Sequence, residues 1–305
     1  MKVYSKISDF KIVVDELKSQ GKSIGFVPTM GALHQGHVSL VNTSVNECDI
    51  TVVSIFVNPT QFNNLEDLEN YPRTIDADIN LLESTNCTLV LAPKADDVYS
   101  SEYRASSLNL GNLEQVMEGK HRPGHFDGVV NVVNRFFEII EPAKAYFGLK
   151  DFQQVAVIKY MVNAFKLPVE IVACPTLREI SGLAMSSRNK RLSEKDKQES
   201  LIIHKTLLFA KEKSTILNPL QVKEESIIFF NSGSLKLEYF EIVNPITLEA
   251  LTEVPSLKEE ELDIIGELLS NLYGALEVNK EIKKGTPKKE ALNGFMNRVL
   301  GSIDN

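Results

Sequence analysis

The chain is poor in the residues that build disulfides and structural metal sites. Its 305 residues include three cysteines, Cys48, Cys87 and Cys174, which lie far apart and form no Cys-x-x-Cys pair. This usage argues against a disulfide framework or a zinc finger and fits a reducing compartment. The N-terminus has no secretory signal pattern, and no apolar run is long enough to cross a bilayer. We therefore expect a cytoplasmic protein with no membrane partner.

An excess of basic charge is also lacking. The formal net charge is −8, which argues against a general nucleic-acid partner because such proteins need a basic surface. A local basic pocket for one nucleotide stays compatible with this charge. The apolar fraction of 43% and the charged fraction of 24% are ordinary for a globular protein, and 305 residues suggest two domains.

Common phosphate-binding and hydrolase signatures are missing as well. The sequence has no Walker loop, no Gly-x-Gly-x-x-Gly and no Gly-x-Ser-x-Gly element. A phosphate site in this chain must therefore use histidine, lysine and helix ends.

Short β-rich runs alternate with helical patterns up to about residue 176. We predict strands over 24–27, 50–57, 88–92, 145–147 and 169–172, and helices over 38–47, 76–84, 129–140 and 152–165. Such alternation predicts an α/β fold with a Rossmann-like, doubly wound parallel sheet, which binds ligands at the carboxyl ends of its strands.

The character of the sequence changes after residue 176. Residues 177–305 are predicted to form a smaller C-terminal α+β domain with a terminal helical extension. We predict helices over 192–213 and 220–230, a strand over 235–243 and a last helix over 286–300, while 261–276 fits either a strand or a helix.

The most informative segment is 28–37, Pro-Thr-Met-Gly-Ala-Leu-His-Gln-Gly-His, directly after the first predicted strand. It places His34 and His37 in a turn that leads into a helix beginning near Gly36. A helix N-terminus attracts phosphate, and imidazoles can donate hydrogen bonds to phosphate oxygens. A zinc site would need two further ligands, and none lies at the usual spacing. We interpret the segment as a phosphate site.

Two polar segments follow in the chain. Asn58 and Gln61 could orient a small polar substrate, although Asn58-Pro59 is also typical of a turn that merely ends a strand. His121 and His125 are separated by Pro123-Gly124, which should break a helix, so we reject a metal-binding pair. Arg122 between them could hold a carboxylate or a phosphate.

Two more segments carry cations. Lys150 and Asp151 follow the strand predicted over 145–147, where the lysine suits phosphate oxygens and the acid could cap a helix or hold ribose hydroxyls. The polar loop containing Ser186, Ser187 and Arg188 could bind outer phosphates, or it could be an ordinary surface loop.

Together these segments resemble one family. The motifs are PTMGALHQGH, FVNPTQF, YPRT (71–74), HRPGHFDGVVNVV (121–133), GLKDFQQ (148–154) and GLAMSSRN (182–189). In this order they resemble the pantothenate synthetases, the pantoate–β-alanine ligases, over about residues 22–192, with a weaker likeness over 239–248. The histidine element is also similar to the HxGH signature of nucleotidylyltransferases and class I aminoacyl-tRNA synthetases, and 185–188 resembles their second, mobile phosphate-binding signature.

The resemblance implies a two-step reaction. The carboxylate of (R)-pantoate attacks the α-phosphate of ATP, and the amine of β-alanine then attacks the resulting pantoyl adenylate to give pantothenate and AMP. The family pattern further implies a cytoplasmic homodimer and Mg²⁺ held largely by phosphates and water.

The same pattern implies residue roles. His34, His37 and Lys150 would be catalytic, with His37 as proton donor, and Gln61 and Gln154, assisted by Asn58, would hold pantoate and β-alanine. The implied ATP contacts are Met30, Gly31, Ala32, Leu33, His34, Gln35, Gly36, His37, Gly148, Leu149, Lys150, Asp151, Leu177, Met185, Ser186, Ser187 and Arg188.

Two departures from the family pattern stand out. Leu149 occupies a position that is usually polar, and residues 275–280 are the nearest counterpart of the family's ending, with 281–305 left unaligned. Two rival functions are a nucleotidylyltransferase, which leaves Gln61 and Gln154 unexplained, and a noncatalytic nucleotide- or RNA-binding module, which the acidic charge disfavours.

Overall fold

The computed structural model describes residues 1–62, 68–244 and 248. The chain divides into two compact units, Met1–Lys197 and Gln198–Asn305. The domain division at 176/177 stays a prediction, and residues 177–197 belong to the first unit. The elements predicted over 261–276 and 286–300, and the unaligned end 281–305, lie outside the described residues.

A six-stranded parallel sheet organises the first unit. Its strands are β1 (Lys2–Tyr4), β2 (Ile24–Thr29), β3 (Ile50–Ile55), β4 (Leu89–Leu91), β5 (Lys144–Gly148) and β6 (Glu170–Cys174). The spatial order is β1-β4-β3-β2-β5-β6, and each neighbouring pair is parallel. The predicted α/β fold with a Rossmann-like doubly wound sheet is confirmed.

Five longer helices alternate with these strands. They are α1 (Ile7–Ser19), α2 (Gln35–Glu47), α3 (Ile75–Glu83), α4 (His125–Ile140) and α5 (Phe152–Phe165). Short helices span Ala95–Val98, Asn112–Gln115 and Met117–His121, and 3₁₀ turns span Pro59–Gln61, Leu149–Asp151 and Ser187–Arg191. The four helices predicted before residue 176 are present as α2 to α5.

The apolar strands form the core of this unit. β3 reads Ile-Thr-Val-Val-Ser-Ile, and five of its six residues are buried, as expected for a strand covered on both faces. Val27, Val53, Val90 and Tyr146, from four neighbouring strands, belong to one buried cluster. This core fixes the carboxyl ends of the strands, where the polar motifs emerge.

The site lies where the strand order reverses. From β2 the chain continues to β3 on one side, while β5 pairs with β2 on the other, with Phe26 opposite Val52 and Ala145. Such a switch point leaves a crevice at the carboxyl ends of the two strands, because their connections leave in opposite directions. The segments after β2 and β5 carry His34, His37 and Lys150.

The N-terminal elements β1 and α1 were not predicted from the sequence. β1 has only three residues, and Lys2 obscures its pattern. In α1 the buried residues Ile7, Phe10 and Val14 follow helical spacing, but charged residues stand between them.

The second unit contains most of α6 (Glu194–Lys213) and all of α7 (Pro219–Phe230). Pro219 is the first residue of α7, and the Asn218 side chain caps it by accepting a hydrogen bond from the Gln221 amide at 3.0 Å. The rings of Phe209 and Phe229 stack with centroids 4.6 Å apart.

The strand predicted over 235–243 is wrong. Residues 235–242 lie in neither strand nor helix, and Val243 makes only an isolated bridge. The alternating apolar pattern is present, but a strand also needs a neighbouring strand to pair its backbone groups. Within the described residues of this unit no such strand runs beside it.

No helix in the described part of the chain combines the length and apolar character of a bilayer-crossing segment.

Candidate functional site

An open cavity lies at the carboxyl ends of β2, β5 and β6. It encloses about 1110 Å³ of empty space, counted out to the solvent at its mouth. The predicted site residues that line it are Met30, His34, Gly36, His37, Gln61, Gly148, Lys150, Asp151, Gln154, Leu177, Met185, Ser186, Ser187 and Arg188. Segments far apart in the sequence therefore meet around one space, as the family resemblance implied.

Some predicted site residues do not line this cavity. They are Gly31, Ala32, Leu33, Gln35, Leu149 and Asn58. Gly31, Ala32 and Leu33 are buried, while Gln35 is exposed on α2. The geometry therefore does not favour direct contact of Gly31, Ala32, Leu33 and Gln35 with ATP.

The two histidines cap the helix that they begin. The Nδ1 atom of His34 accepts a hydrogen bond from the Gly36 amide at 3.1 Å, and the Nδ1 of His37 accepts one from the His34 amide at 3.3 Å. An imidazole nitrogen that accepts carries no proton, so each neutral ring carries its proton on Nε2. The ring centroids lie 4.1 Å apart. The pair thus offers two Nε2–H donors for a ligand in the cavity.

The surroundings keep both imidazoles neutral. Burial lowers the pKa of His37 to about 3, with further contributions from His34 and Lys150. Burial also lowers the pKa of His34, and the charges of Lys150 and Lys190 add to this effect. Both rings are therefore neutral donors at neutral pH.

This neutrality predicts acid sensitivity. Below pH 6.5 the unfolded chain protonates His37 while the folded chain leaves it neutral, so stability falls as pH falls toward 3. His37→Gln removes this contribution. We expect its free energy of unfolding to decrease by about 1 kcal/mol less than that of the wild type between pH 7.5 and 5.5. Urea unfolding at the two pH values measures the difference, and equal losses in both proteins would contradict the neutral state.

A buried carboxylate holds the turn before the histidines. Asp78, on α3, accepts hydrogen bonds from the amides of Ala32 at 2.9 Å and Leu33 at 2.7 Å. Gly31 and Ala32 both have positive φ, 82° and 50°, which aims these successive amides at one anion. The protein's own carboxylate therefore occupies these two amides, which are not available to a phosphate.

Gly36, in the histidine segment 28–37, lies close to the loop at 185–188. A Cβ at this position would lie 2.8 Å from Cε1 of His34 and 3.5 Å from the Cβ of Met185. The absence of a side chain therefore leaves room for the His34 cap, whereas Met185 lies at an ordinary van der Waals distance. Met185 is itself held by its amide, which donates to the Leu177 carbonyl at 3.0 Å.

Tyr71 contacts two residues of the loop at 185–188. Its hydroxyl lies 3.3 Å from Oγ of the buried Ser187, and the guanidinium of Arg188 lies over its ring at 5.7 Å from the centroid. The Ser186 side chain caps the following 3₁₀ turn by accepting from the Arg188 amide at 3.3 Å. The loop thus presents two hydroxyls and a guanidinium to the cavity.

The lysine that follows β5 is half-exposed at the cavity wall. Lys150 donates to Oδ1 of Asp151 at 2.6 Å, and their side chains are 38% and 46% exposed. Of the two roles left open for Asp151, helix capping is not observed, since its side chain makes no cap hydrogen bond to α5. An exposed pair of this kind is held weakly, so a phosphate can compete for the lysine.

A second cavity adjoins the first. It shares Met30, His37, Gln61 and Gln154 with the first cavity, together with Pro28, Tyr71, Phe147 and Asp151. The rest of its lining is mostly apolar, with Thr29, Ser54 and Asn58 as the polar members. Its apolar wall consists of Phe56, Phe147 and the α4 residues Val129, Val132, Val133 and Phe136. It suits a small ligand with a branched apolar end and polar groups.

Asn58 lines only the second cavity and is buried. Its Nδ2 donates to the Gly128 carbonyl at 3.0 Å and to Oε1 of Gln61 at 3.2 Å, and its Oδ1 accepts from the Tyr99 hydroxyl at 2.8 Å. These bonds occupy both ends of the amide. Asn58 therefore orients Gln61 more than it offers atoms to a ligand.

Sequence reasoning missed four residues that shape the site: Asp78, Tyr71, Glu118 and Gln153. Glu118 lines the first cavity and accepts from Arg122 at 2.6 Å, and the buried Gln153 accepts from the Glu118 amide at 2.9 Å. Tyr71 and Gln153 lie within the motifs at 71–74 and 148–154, but those motifs do not indicate their hydrogen-bond partners, Ser187 and Glu118, which are distant in sequence. The partners of Asp78 are equally distant.

In the part of the chain that the structure describes, no group of three or more His, Cys, Asp and Glu side chains is placed to hold a metal ion. The two carboxylates on the first cavity, Glu118 and Asp151, pair with Arg122 and Lys150.

Comparisons with known proteins identify relatives. A family model described as pantoate-beta-alanine ligase matches residues 2–268, and a model of a family of unknown function matches 244–304. The pantothenate synthetase of Bacteroides fragilis is 48% identical over 252 residues, 82% of this chain and 88% of that protein. The Flavobacterium psychrophilum enzyme is 46% identical over 250 residues, 81% and 89% of the two chains.

Solved structures agree. Pantothenate synthetase from Thermus thermophilus has a TM-score of 0.78 at 35% identity, with 83% of this chain and 90% of that chain covered. The Francisella tularensis pantoate-beta-alanine ligase, complexed with beta-gamma ATP and beta-alanine, has a TM-score of 0.67 at 38% identity, covering 75% and 86%. The resemblance carried by the motifs is confirmed. The chain belongs to the pantoate–β-alanine ligase family.

Proposed function

We propose that the two adjoining cavities form one active site, in which ATP activates pantoate and β-alanine takes up the activated acyl group. The chain is an ATP-dependent ligase that condenses pantoate with β-alanine. The observation that carries the site assignment is the wall common to both cavities, which includes Met30, His37, Gln61 and Gln154. A ligand in each cavity would meet its neighbour there.

The first cavity suits the triphosphate of ATP. Lys150 and Arg188 supply positive charge, Ser186 and Ser187 supply hydroxyls, and His34 and His37 supply neutral N–H donors. Phosphoryl transfer spreads negative charge over the phosphate oxygens, so placed donors and cations stabilise the transition state. We assign catalysis of adenylation to His34, His37 and Lys150.

The second cavity suits pantoate. Pantoate carries two methyl groups on one carbon, which match the wall of Val129, Val132 and Val133, and polar groups that can bond to Gln61 and Gln154. Holding its carboxylate beside the α-phosphate turns a bimolecular attack into a local one.

The proposed chemistry balances in two steps. A pantoate carboxylate oxygen attacks the α-phosphorus and pyrophosphate leaves, which makes a mixed anhydride. The β-alanine nitrogen then attacks the acyl carbon, loses a proton and expels AMP. A carboxylate is a poor acyl donor, and the adenylate supplies the good leaving group that the amide bond requires.

We propose that Mg²⁺ arrives with ATP, held by phosphate oxygens and water. The carboxylates nearest the proposed phosphate path are paired with cations, so the residues present favour this arrangement over a dedicated protein site. The homodimer and the cytoplasmic location stay predictions of the family pattern.

An assay that omits each substrate in turn tests the function. With pantoate, ATP and β-alanine together we expect continuous release of AMP and pyrophosphate. Without β-alanine we expect little AMP, because the adenylate waits for its amine. A nucleotidylated product that is released over many turnovers without β-alanine would instead identify a nucleotidylyltransferase.

A further inference from the structure

The first turn of α4 is bonded to the turn that carries Gln61. His125 is 5% exposed, and its Nδ1 lies 2.8 Å from the main-chain oxygen of Gln61. A carbonyl oxygen only accepts, so Nδ1 must donate. On the other side of the ring, Nη1 of Arg122 lies 3.2 Å from Nε2. A guanidinium only donates, so Nε2 accepts, and the two bonds define one neutral tautomer.

Close main-chain packing supports the same contact. A Cβ at Gly128 would lie 2.6 Å from the Thr60 carbonyl oxygen and 2.7 Å from Cα of Gln61. The Gly128 carbonyl accepts from Asn58, whose amide also reaches the Gln61 side chain. The helix and the turn therefore meet without an intervening side chain.

Arg122, which donates to His125, is itself held by further hydrogen bonds. Arg122 donates to Glu118 at 2.6 Å, and the Glu118 amide donates to Gln153. Gln153 also donates to the carbonyls of Leu113 at 2.8 Å and Val116 at 2.9 Å. His125 thus connects a fixed segment of the cavity wall to the main chain of Gln61.

We propose that His125 is a positioning residue for the acid substrate. Its Nδ1–H fixes the Gln61 main chain, and through it the Gln61 side chain at the boundary of the two cavities. The inference rests on the proposed contact between Gln61 and pantoate. His125 also lines the first cavity, but both of its ring nitrogens are bonded to protein groups, so the ring acts through Gln61.

Two substitutions test the hydrogen bonds of the two ring nitrogens of His125 one at a time. In His125→Asn the side-chain amide can take the place of Nδ1 and donate to Gln61, whereas in His125→Gln it can reach only the place of Nε2. We expect the KM for pantoate to stay within about threefold of wild type in His125→Asn and to rise about tenfold or more in His125→Gln and His125→Ala, the cost of one lost buried hydrogen bond. The KM for ATP should change by less than about twofold.

Controls keep the outcome decisive. His204→Asn, in the second unit, should leave both KM values unchanged, and circular dichroism verifies the fold of each variant. If His125→Gln is too unstable to purify, His125→Asn against His125→Ala gives the same comparison. A pantoate KM that is unchanged in His125→Ala, or raised as much by Asn as by Ala, overturns the proposal. Gln61→Ala tests the underlying contact separately, because an unchanged pantoate KM there means that the pantoate assignment has failed.

Discussion

Replacing His37 with alanine is expected to lower the rate of pantoate-dependent pyrophosphate release by about two to three orders of magnitude. His37 lines both cavities, and its Nε2–H is the donor left over after Nδ1 accepts from the His34 amide. Loss of one fixed donor to developing charge costs about 10²–10³ in rate. Single-turnover measurement of pyrophosphate with saturating ATP and pantoate reports this step directly.

Two further variants separate chemistry from helix capping. His37→Gln can restore a donor near Nε2 but not the Nδ1 acceptor, whereas His37→Asn can restore the acceptor but not the donor. We expect the glutamine variant to be the faster of the two and the asparagine variant to be the more stable. His204→Ala, which alters a histidine outside both cavities, should leave the rate unchanged. A His37→Asn variant as fast as wild type would remove Nε2 from the mechanism.

Most strands and longer helices of the first unit could be predicted, because their apolar patterns are clear within short stretches of sequence. The predicted 24–27 and 50–57 correspond to β2 and β3, since their apolar runs are buried by any parallel sheet. α5 matches its predicted range, 152–165, completely. By contrast, 235–243 has the pattern of a strand without a described strand to pair with. A pattern fixes which face a segment can bury, and tertiary structure decides whether a partner is present.

The sequence motifs led to candidate residues that line the cavity, but not to the residues that support them. His34, His37 and Lys150 sit in short motifs at strand ends, where parallel topology brings side chains together. Asp78 is 46 residues beyond Ala32 and belongs to another helix. Nothing near Asp78 in the sequence distinguishes it from Asp76, which is exposed on the same helix. Only the three-dimensional arrangement of β2 and α3 reveals which carboxylate is buried.

The phosphate motif also differs from its sequence interpretation in the use of its backbone. Five amides of the segment are already bonded to side chains: Gly31 to Thr29, Ala32 and Leu33 to Asp78, Gly36 to His34, and His34 to His37. A bare helix N-terminus would bind phosphate through such amides. Here these amides bond to protein side chains and hold the two imidazoles in place, so the imidazole N–H groups become the donors for a ligand. Rigid placement is what lets neutral donors stabilise a transition state without reorganisation.

This arrangement makes Asp78 the most consequential support. Asp78→Ala is expected to lower the free energy of unfolding by about 3 kcal/mol, because two buried amides lose their acceptor at roughly 1–3 kcal/mol each. Without the carboxylate, little compensates the cost of the positive φ of Ala32. The turn that precedes the two imidazoles is then no longer held in place. We therefore expect a slower adenylation step as well as a less stable fold. Urea unfolding and single-turnover pyrophosphate release measure the two effects.

Asp76→Asn is the matched control, because it changes an exposed aspartate in the same first turn of α3. It should alter stability by less than about 0.5 kcal/mol, as surface substitutions usually do. Asp78→Asn keeps the shape of the side chain but turns an amide donor toward one of two backbone donors. We expect it to be destabilised and slowed although its volume is unchanged. If Asp78→Asn matched the wild type in both measurements, the carboxylate would be filling space, and the histidine turn would have to be held by other contacts.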